Sequence, residues 1–156
     1  MEDLSRAGIV VEFGTGTGVY TEEILRRLGP GGVFLAFEVD RGLAHAVAAR
    51  LPDARLTVIN DSAENVGRYL SGREADAVVS SLPFTTLSAG LKEEILKAAR
   101  DALGPGGSML VLQYSKRILP DLERIFGGVR RRFSPLNVPP AFLFACEKPG
   151  PRGGAS

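Results

Sequence analysis

The run Glu12-Phe13-Gly14-Thr15-Gly16-Thr17-Gly18 has the residue types and spacing of a ligand-binding turn. Alternate glycines let the backbone bend sharply and approach a ligand with no Cβ in the way. The residues between and after them narrow the choice. A dinucleotide turn wants Gly-x-Gly-x-x-Gly, and Val19 stands where its third glycine belongs. A P-loop wants Gly-Lys-Ser/Thr, and no lysine follows this turn. Glu12 would repel a phosphate and favour a cation. Two more acids, Glu38 and Asp61, recur further along. Glu38 offers two oxygens to a pair of ribose hydroxyls, and Asp61 can meet an adenine edge. Such a set suits a nucleoside that carries positive charge and no phosphate.

These acids act together only if one sheet edge gathers them. A short apolar, β-branched run predicts a buried strand over 9–13, and further strands are expected over 33–37, 56–59, 75–79, 108–113, 129–133 and 141–147. Helical periodicity predicts helices over 21–28, 43–51, 63–70, 87–103 and 119–126. Gly29-Pro30-Gly31-Gly32, Pro52 and Gly104-Pro105-Gly106-Gly107 punctuate them as breakers. Alternating strands and helices imply an α/β fold, with parallel βαβ units and a sheet covered on both faces. The last two strands have no helix between them and should pair antiparallel. Glu12, Glu38 and Asp61 then lie at or just past the ends of the first three strands, where open α/β sheets bind ligands.

The chain has 156 residues, of which 44% are hydrophobic and 24% charged, which suits one domain with a single core. A domain over 1–148 and a disordered tail over 149–156 are expected, since Gly150-Pro151-Arg152-Gly153-Gly154-Ala155-Ser156 can bury nothing. One cysteine, Cys146, excludes a disulfide framework and reads as a buried hydrophobe. One histidine, His45, excludes a zinc site of the Cys/His kind and reads as structural, and no metal is expected. No apolar run reaches the roughly 18 residues of a membrane span. The expected location is the cytoplasm, with peripheral contact at the inner membrane face. Residues 1–100 carry 11 Lys and Arg against 14 Asp and Glu, whereas residues 101–156 carry 8 against 4. The basic excess centres on Lys116, Arg117, Arg130, Arg131 and Arg132. It is either a solvated face or a patch for phosphates of an anionic membrane or nucleic acid.

S-adenosylmethionine, with its sulfonium and amino group beside an adenosine, matches the ligand inferred from the acids. Val10-Val11-Glu12-Phe13-Gly14-Thr15-Gly16-Thr17-Gly18 resembles the first motif of class I S-adenosylmethionine-dependent methyltransferases. Phe37-Glu38-Val39-Asp40 resembles their second-strand acid, and Asn60-Asp61-Ser62-Ala63 their adenine-side motif. Leu103-Gly104-Pro105-Gly106-Gly107 resembles the turn before their fifth strand. The resemblance spans about residues 8–148. It implies a Rossmann-like seven-stranded, mostly parallel sheet with helices on both faces and an antiparallel last strand. It also implies S-adenosylmethionine as cofactor, with S-adenosylhomocysteine as product. The implied cofactor contacts are Glu12, Gly14, Thr15, Gly16, Thr17, Gly18, Glu38, Val39, Asp61, Ser62, Ala63, Ser80 and Leu82.

Two branches of that superfamily compete for the acceptor. Leu82-Pro83-Phe84 is similar to the Asn-Leu-Pro-Tyr/Phe segment of ribosomal RNA adenine N-methyltransferases, but Ser81 replaces the asparagine. Those enzymes also use a C-terminal helical RNA domain. Ser80-Ser81-Leu82-Pro83, Gln113-Tyr114 and Asn137-Val138-Pro139-Pro140-Ala141 resemble bacterial phospholipid (phosphatidylethanolamine) N-methyltransferases more closely. That branch generally has an amphipathic N-terminal helix, whereas eight residues precede the first strand here. The resemblance implies catalytic roles for Tyr114, Ser81 and Asn137, with Ser80 also facing the acceptor. The expected acceptor is a small-molecule or lipid amine. RNA adenine methylation is the alternative, and a non-catalytic cofactor-binding subunit is a third reading.

Overall fold

A computed structural model describes residues 3–134 and 141–149; Asn137, its Pro-Pro-Ala neighbours up to Pro140, and residues 150–156 of the expected tail lie outside the described residues. The chain runs β1 (Ile9–Phe13), α1 (Val19–Arg27), β2 (Val33–Phe37), α2 (Arg41–Arg50) and β3 (Leu56–Ile59). A 3₁₀ segment (Ala63–Tyr69) leads to β4 (Ala75–Ser80), and a shorter one (Phe84–Thr86) leads to α3 (Ala89–Ala102). Then come β5 (Leu103–Gln113), α4 (Leu119–Phe126), β6 (Val129–Ser134) and β7 (Ala141–Glu147).

The seven strands form one sheet in the order β3-β2-β1-β4-β5-β7-β6. The strands from β1 to β5 pair parallel, while β7 runs antiparallel to both β5 and β6. The chain winds outward from β1 through β3, then crosses back to lay β4 on the other side of β1. This reversal opens a crevice past the carboxyl ends of β1 and β4, where ligands of such sheets bind. The fold expected from the sequence is the fold observed.

Strand alternation divides the core. Val11, Phe13, Leu35, Phe37, Val78 and Val111 pack on the face covered by α3, α4 and the first 3₁₀ segment. Val10, Phe34, Ala36, Ala77, Val79 and Leu110 pack on the other face with Ile24, Leu25 and Leu28 of the α1 region. All five β1 residues are buried, so Glu12 occupies a core position on the α1 side. Cys146 is buried in β7, where removal from water pushes its thiol up to about 12. His45 is exposed on α2.

Three local expectations change. The helix expected over 63–70 is a 3₁₀ segment over Ala63–Tyr69 rather than an α-helix. The Gly104-Pro105-Gly106-Gly107 breaker lies inside β5, because Gly106 N–H donates to the Lys148 carbonyl and Lys148 N–H to that of Gly107. The surplus residues are absorbed as an irregularity against β4, where Ala75 pairs with Leu103 but Ala77 with Ser108. The arginine run does not present one surface. Arg130 pairs with Ala145 and Arg131 with Phe144, so the pleat sends the two side chains to opposite faces of β6, the sheet's edge strand. Charges there also block edge-to-edge pairing with another chain. Arg132 pairs with Leu143 on the same strand.

Candidate functional site

The glycine turn joins β1 to α1 and takes its shape from positive φ at Gly14 (79°), Gly16 (52°) and Gly18 (89°). Gly14 donates its N–H to the Phe37 carbonyl at 2.9 Å, tying the turn to the end of β2. A Cβ on Gly14 would stand 2.7 Å from Leu82 Cδ2, whereas one on Gly16 would meet nothing within 4 Å. The turn is thus packed at its start and open at its middle, as a cradle for a ligand requires.

Glu12 is 1% exposed. Its Oε1 accepts the Thr21 hydroxyl at 2.5 Å, but its Oε2 is buried with no hydrogen-bond partner, the one such side-chain atom among the described residues. Burial pushes this carboxyl up to about 7 against the lowering effect of Thr21, and Glu38 adds to the rise. An unsatisfied buried acceptor is costly unless a donor arrives, so Glu12 fits a cationic or N–H-bearing ligand group.

Glu38 is nearly buried at the end of β2. Its Oε1 accepts the Gly16 N–H at 2.9 Å and the Thr15 hydroxyl at 3.5 Å, while its Oε2 accepts the Asp40 N–H at 3.0 Å and keeps a second lone pair. Asn60 fixes this segment through bonds from its amide to the Glu38 and Val39 carbonyls. Asp61 accepts from Tyr69 Oη at 2.6 Å, Asn65 Nδ2 at 2.9 Å and Ser62 N at 2.7 Å. These bonds, Tyr69's foremost, hold its carboxyl below the usual range. Glu38, Val39, Asp61, Ser62, Ala63 and Leu82 all line one cleft of about 120 Å³, which is walled by Phe37, Leu87, Leu91 and Ile95. A slot with apolar walls and acids at its rim accepts a purine and its ribose.

Thr15 is buried beside Glu38, and Thr17 is exposed. The Thr17 carbonyl accepts from Arg50 Nη2 at 2.8 Å, so α2 braces the turn. The serines at the end of β4 are more engaged than expected. Ser80 is fully buried and its Oγ accepts the Leu82 N–H, so it does not face an acceptor. Ser81 donates its hydroxyl to the Gly14 carbonyl at 3.2 Å, which joins β4 to the glycine turn. Tyr114 follows β5 and is 63% exposed, so it is not a core aromatic. Tyr20 on α1 is half-buried nearby; burial and the Tyr114 phenol raise its hydroxyl pKa.

Sequence reasoning passed over Gln113, Arg50 and Tyr20. Gln113 is 5% exposed and donates Nε2 to the Leu82 and Leu112 carbonyls, both at 2.6 Å, which pins the loop after β4. A buried polar residue closing an apolar strand is the signal that marks it. Gln113→Leu leaves the Leu82 carbonyl without its partner and is expected to cost about 1–3 kcal/mol. The shift of the urea midpoint at constant slope measures it, and a midpoint equal to wild type would contradict this role.

Residues 10–107 match the model of a family described as a methyltransferase domain, and the chain belongs to that family. It is an S-adenosylmethionine-dependent methyltransferase. An ornithine lipid N-methyltransferase from Singulisphaera acidiphila is 28% identical over 146 residues, 90% of this chain and 76% of that protein. An rRNA methylase structure from Streptococcus thermophilus superposes with a TM-score of 0.71 at 25% identity, covering 94% of this chain and 90% of the other. A Streptococcus mutans protein solved with S-adenosylhomocysteine shares the fold, with a TM-score of 0.68 at 15% identity over 92% of this chain and 93% of its own. No helix among the described residues is long and apolar enough to cross a membrane.

Proposed function

We propose that this enzyme N-methylates the amine head group of a lipid such as phosphatidylethanolamine. The observation that carries the reading is Tyr114, which stands exposed past the end of β5 with Tyr20 close by. An aromatic face attracts an ammonium or methylammonium group, and a phenol oxygen can accept a bond from an amine N–H. The likeness to a lipid N-methyltransferase over most of both chains supports it.

Glu12, Glu38 and the glycine turn hold the cofactor, and the cleft walled by Phe37, Val39, Ala63 and Leu82 takes its adenine. The bound cofactor supplies a methyl group on a sulfonium, already activated for transfer to nitrogen. The chain's task is then placement and charge management. Ser81 and Gln113 are positioning residues that keep the Gly14 and Leu82 backbone at the methyl-transfer edge. Tyr114 orients the amine after its proton has gone to water, with the nitrogen lone pair left for attack. Asn137 retains the acceptor-side role that its motif implies.

The rRNA methylase likeness favours a second reading, methylation of an adenine amino group. Against it, Phe84, whose ring would stack on the base, is 1% exposed and packed in the core. Labelled methyl transfer to phosphatidylethanolamine vesicles and to ribosomal RNA decides between them. Label in the lipid fraction is the expected result. Label confined to RNA overturns the lipid reading, and cofactor binding without transfer to either supports a non-catalytic subunit.

A further inference from the structure

We propose that the hollow beside the Phe84–Thr86 turn binds the phosphate of the lipid head group and the first carbons of its tail; this rests on the lipid-amine reading above. The hollow measures about 220 Å³. Leu87 and Ala89 give it apolar walls above the buried Phe84 and Ile118, and Thr85, Lys92 and Arg117 stand among them. Leu87 also lines the cofactor cleft, so the two spaces lie on either side of one side chain.

The charges are unequal in effect. Lys92 Nζ is 3.0 Å from Asp121 Oδ2, a carboxylate that Arg124 also meets at 3.1 Å, so that lysine is tied to α4. Arg117 is exposed and makes no side-chain hydrogen bond or ion pair among the described residues. The hollow therefore offers one unpaired cation, Arg117, on a planar fork suited to two phosphate oxygens. A phosphodiester carries one negative charge. The adjoining apolar walls suit hydrocarbon, which a lipid has and an RNA backbone lacks. A nucleic-acid track would want a row of free cations, but Lys116 is turned away, with Nζ 5.4 Å from the centre of the Phe142 ring.

The test uses the whole chain with two acceptors, dihexanoyl phosphatidylethanolamine and free ethanolamine, and with dihexanoyl phosphatidate as a probe that cannot be methylated. Arg117→Ala is expected to lower kcat/KM for the phospholipid at least about tenfold more than for ethanolamine, and to abolish the calorimetric signal with phosphatidate. Arg117→Lys should restore part of both, because a cation remains. Equal loss on both acceptors, or phosphatidate binding that ignores Arg117, overturns the proposal. Phospholipid methylation with an unchanged acceptor ratio removes this subsite and leaves the lipid-amine reading standing. Arg117-dependent phosphatidate binding with no amine methylated supports the subsite and removes that reading. RNA binding that depends on Arg117, with no phosphatidate signal, overturns the proposal in favour of nucleic acid.

Discussion

Glu12→Gln is expected to stabilise the ligand-free protein at pH 8 while weakening its hold on S-adenosylhomocysteine. In the folded chain burial places this carboxyl near 7, against an ordinary value of 4.5. Between those values the folded state keeps a proton that the unfolded state has released. Stability from this group is therefore highest below pH 4.5, falls as pH rises towards 7, and stays low above it. A difference of that size corresponds to roughly 3 kcal/mol. Glutamine has nearly the same shape, keeps an oxygen for the Thr21 hydroxyl and never ionises, so the variant escapes the loss. The same change removes the negative charge that a cationic ligand group prefers, and affinity should fall about tenfold or more at pH 8. Urea unfolding at pH 4.5 and 8 and calorimetry at pH 8 read the two effects. A stability difference between variant and wild type that is the same at both pH values would refute the first, and equal affinities the second.

Gly14→Ala is expected to be the most damaging change in the turn. At a φ of 79° a side chain is strained by about 1–2 kcal/mol wherever it points. Here the new Cβ also meets Leu82 Cδ2 at 2.7 Å. The Leu82 backbone has little room to retreat, because Gln113 holds its carbonyl and Ser80 its N–H. The leucine end must swing instead, and it lines the cofactor cleft. A loss of about 2–3 kcal/mol in stability and more than about tenfold in S-adenosylhomocysteine affinity should result. Gly16→Ala is the control, with positive φ but nothing within 4 Å. It should lose less stability in the ligand-free protein. Equal losses would show that the contact with Leu82 contributes nothing.

The order of strands and helices was legible because short apolar runs between glycine and proline breakers mark the strands, and apolar residues repeated on one face mark helices such as α1 and α3. Glu12, Glu38 and Asp61 were legible as a set because the strand ends that carry them converge in any fold of this class. Contacts between distant segments were not. The pairing of Gly106 and Gly107 with Lys148 turns an apparent breaker into strand, and no local pattern announces it. The run Arg130, Arg131, Arg132 reads as a cluster in one dimension, but a strand's two-residue period parts its neighbours. Ser81 looks like a free hydroxyl until the Gly14 carbonyl is seen beside it. Gln113 was hidden for the same reason, since its partner at Leu82 is 31 residues away.

The position of β7 bears on how the chain is made. It is the last of the described strands in order of synthesis, yet it lies between β5 and β6. While the ribosome still holds residues 141–147, the whole flank of β5 has no neighbour, and β6 has nothing to pair with at all. The nascent protein must then carry an open apolar strand until residues 141–147 emerge, which is the stage at which chaperone capture or clumping would strike.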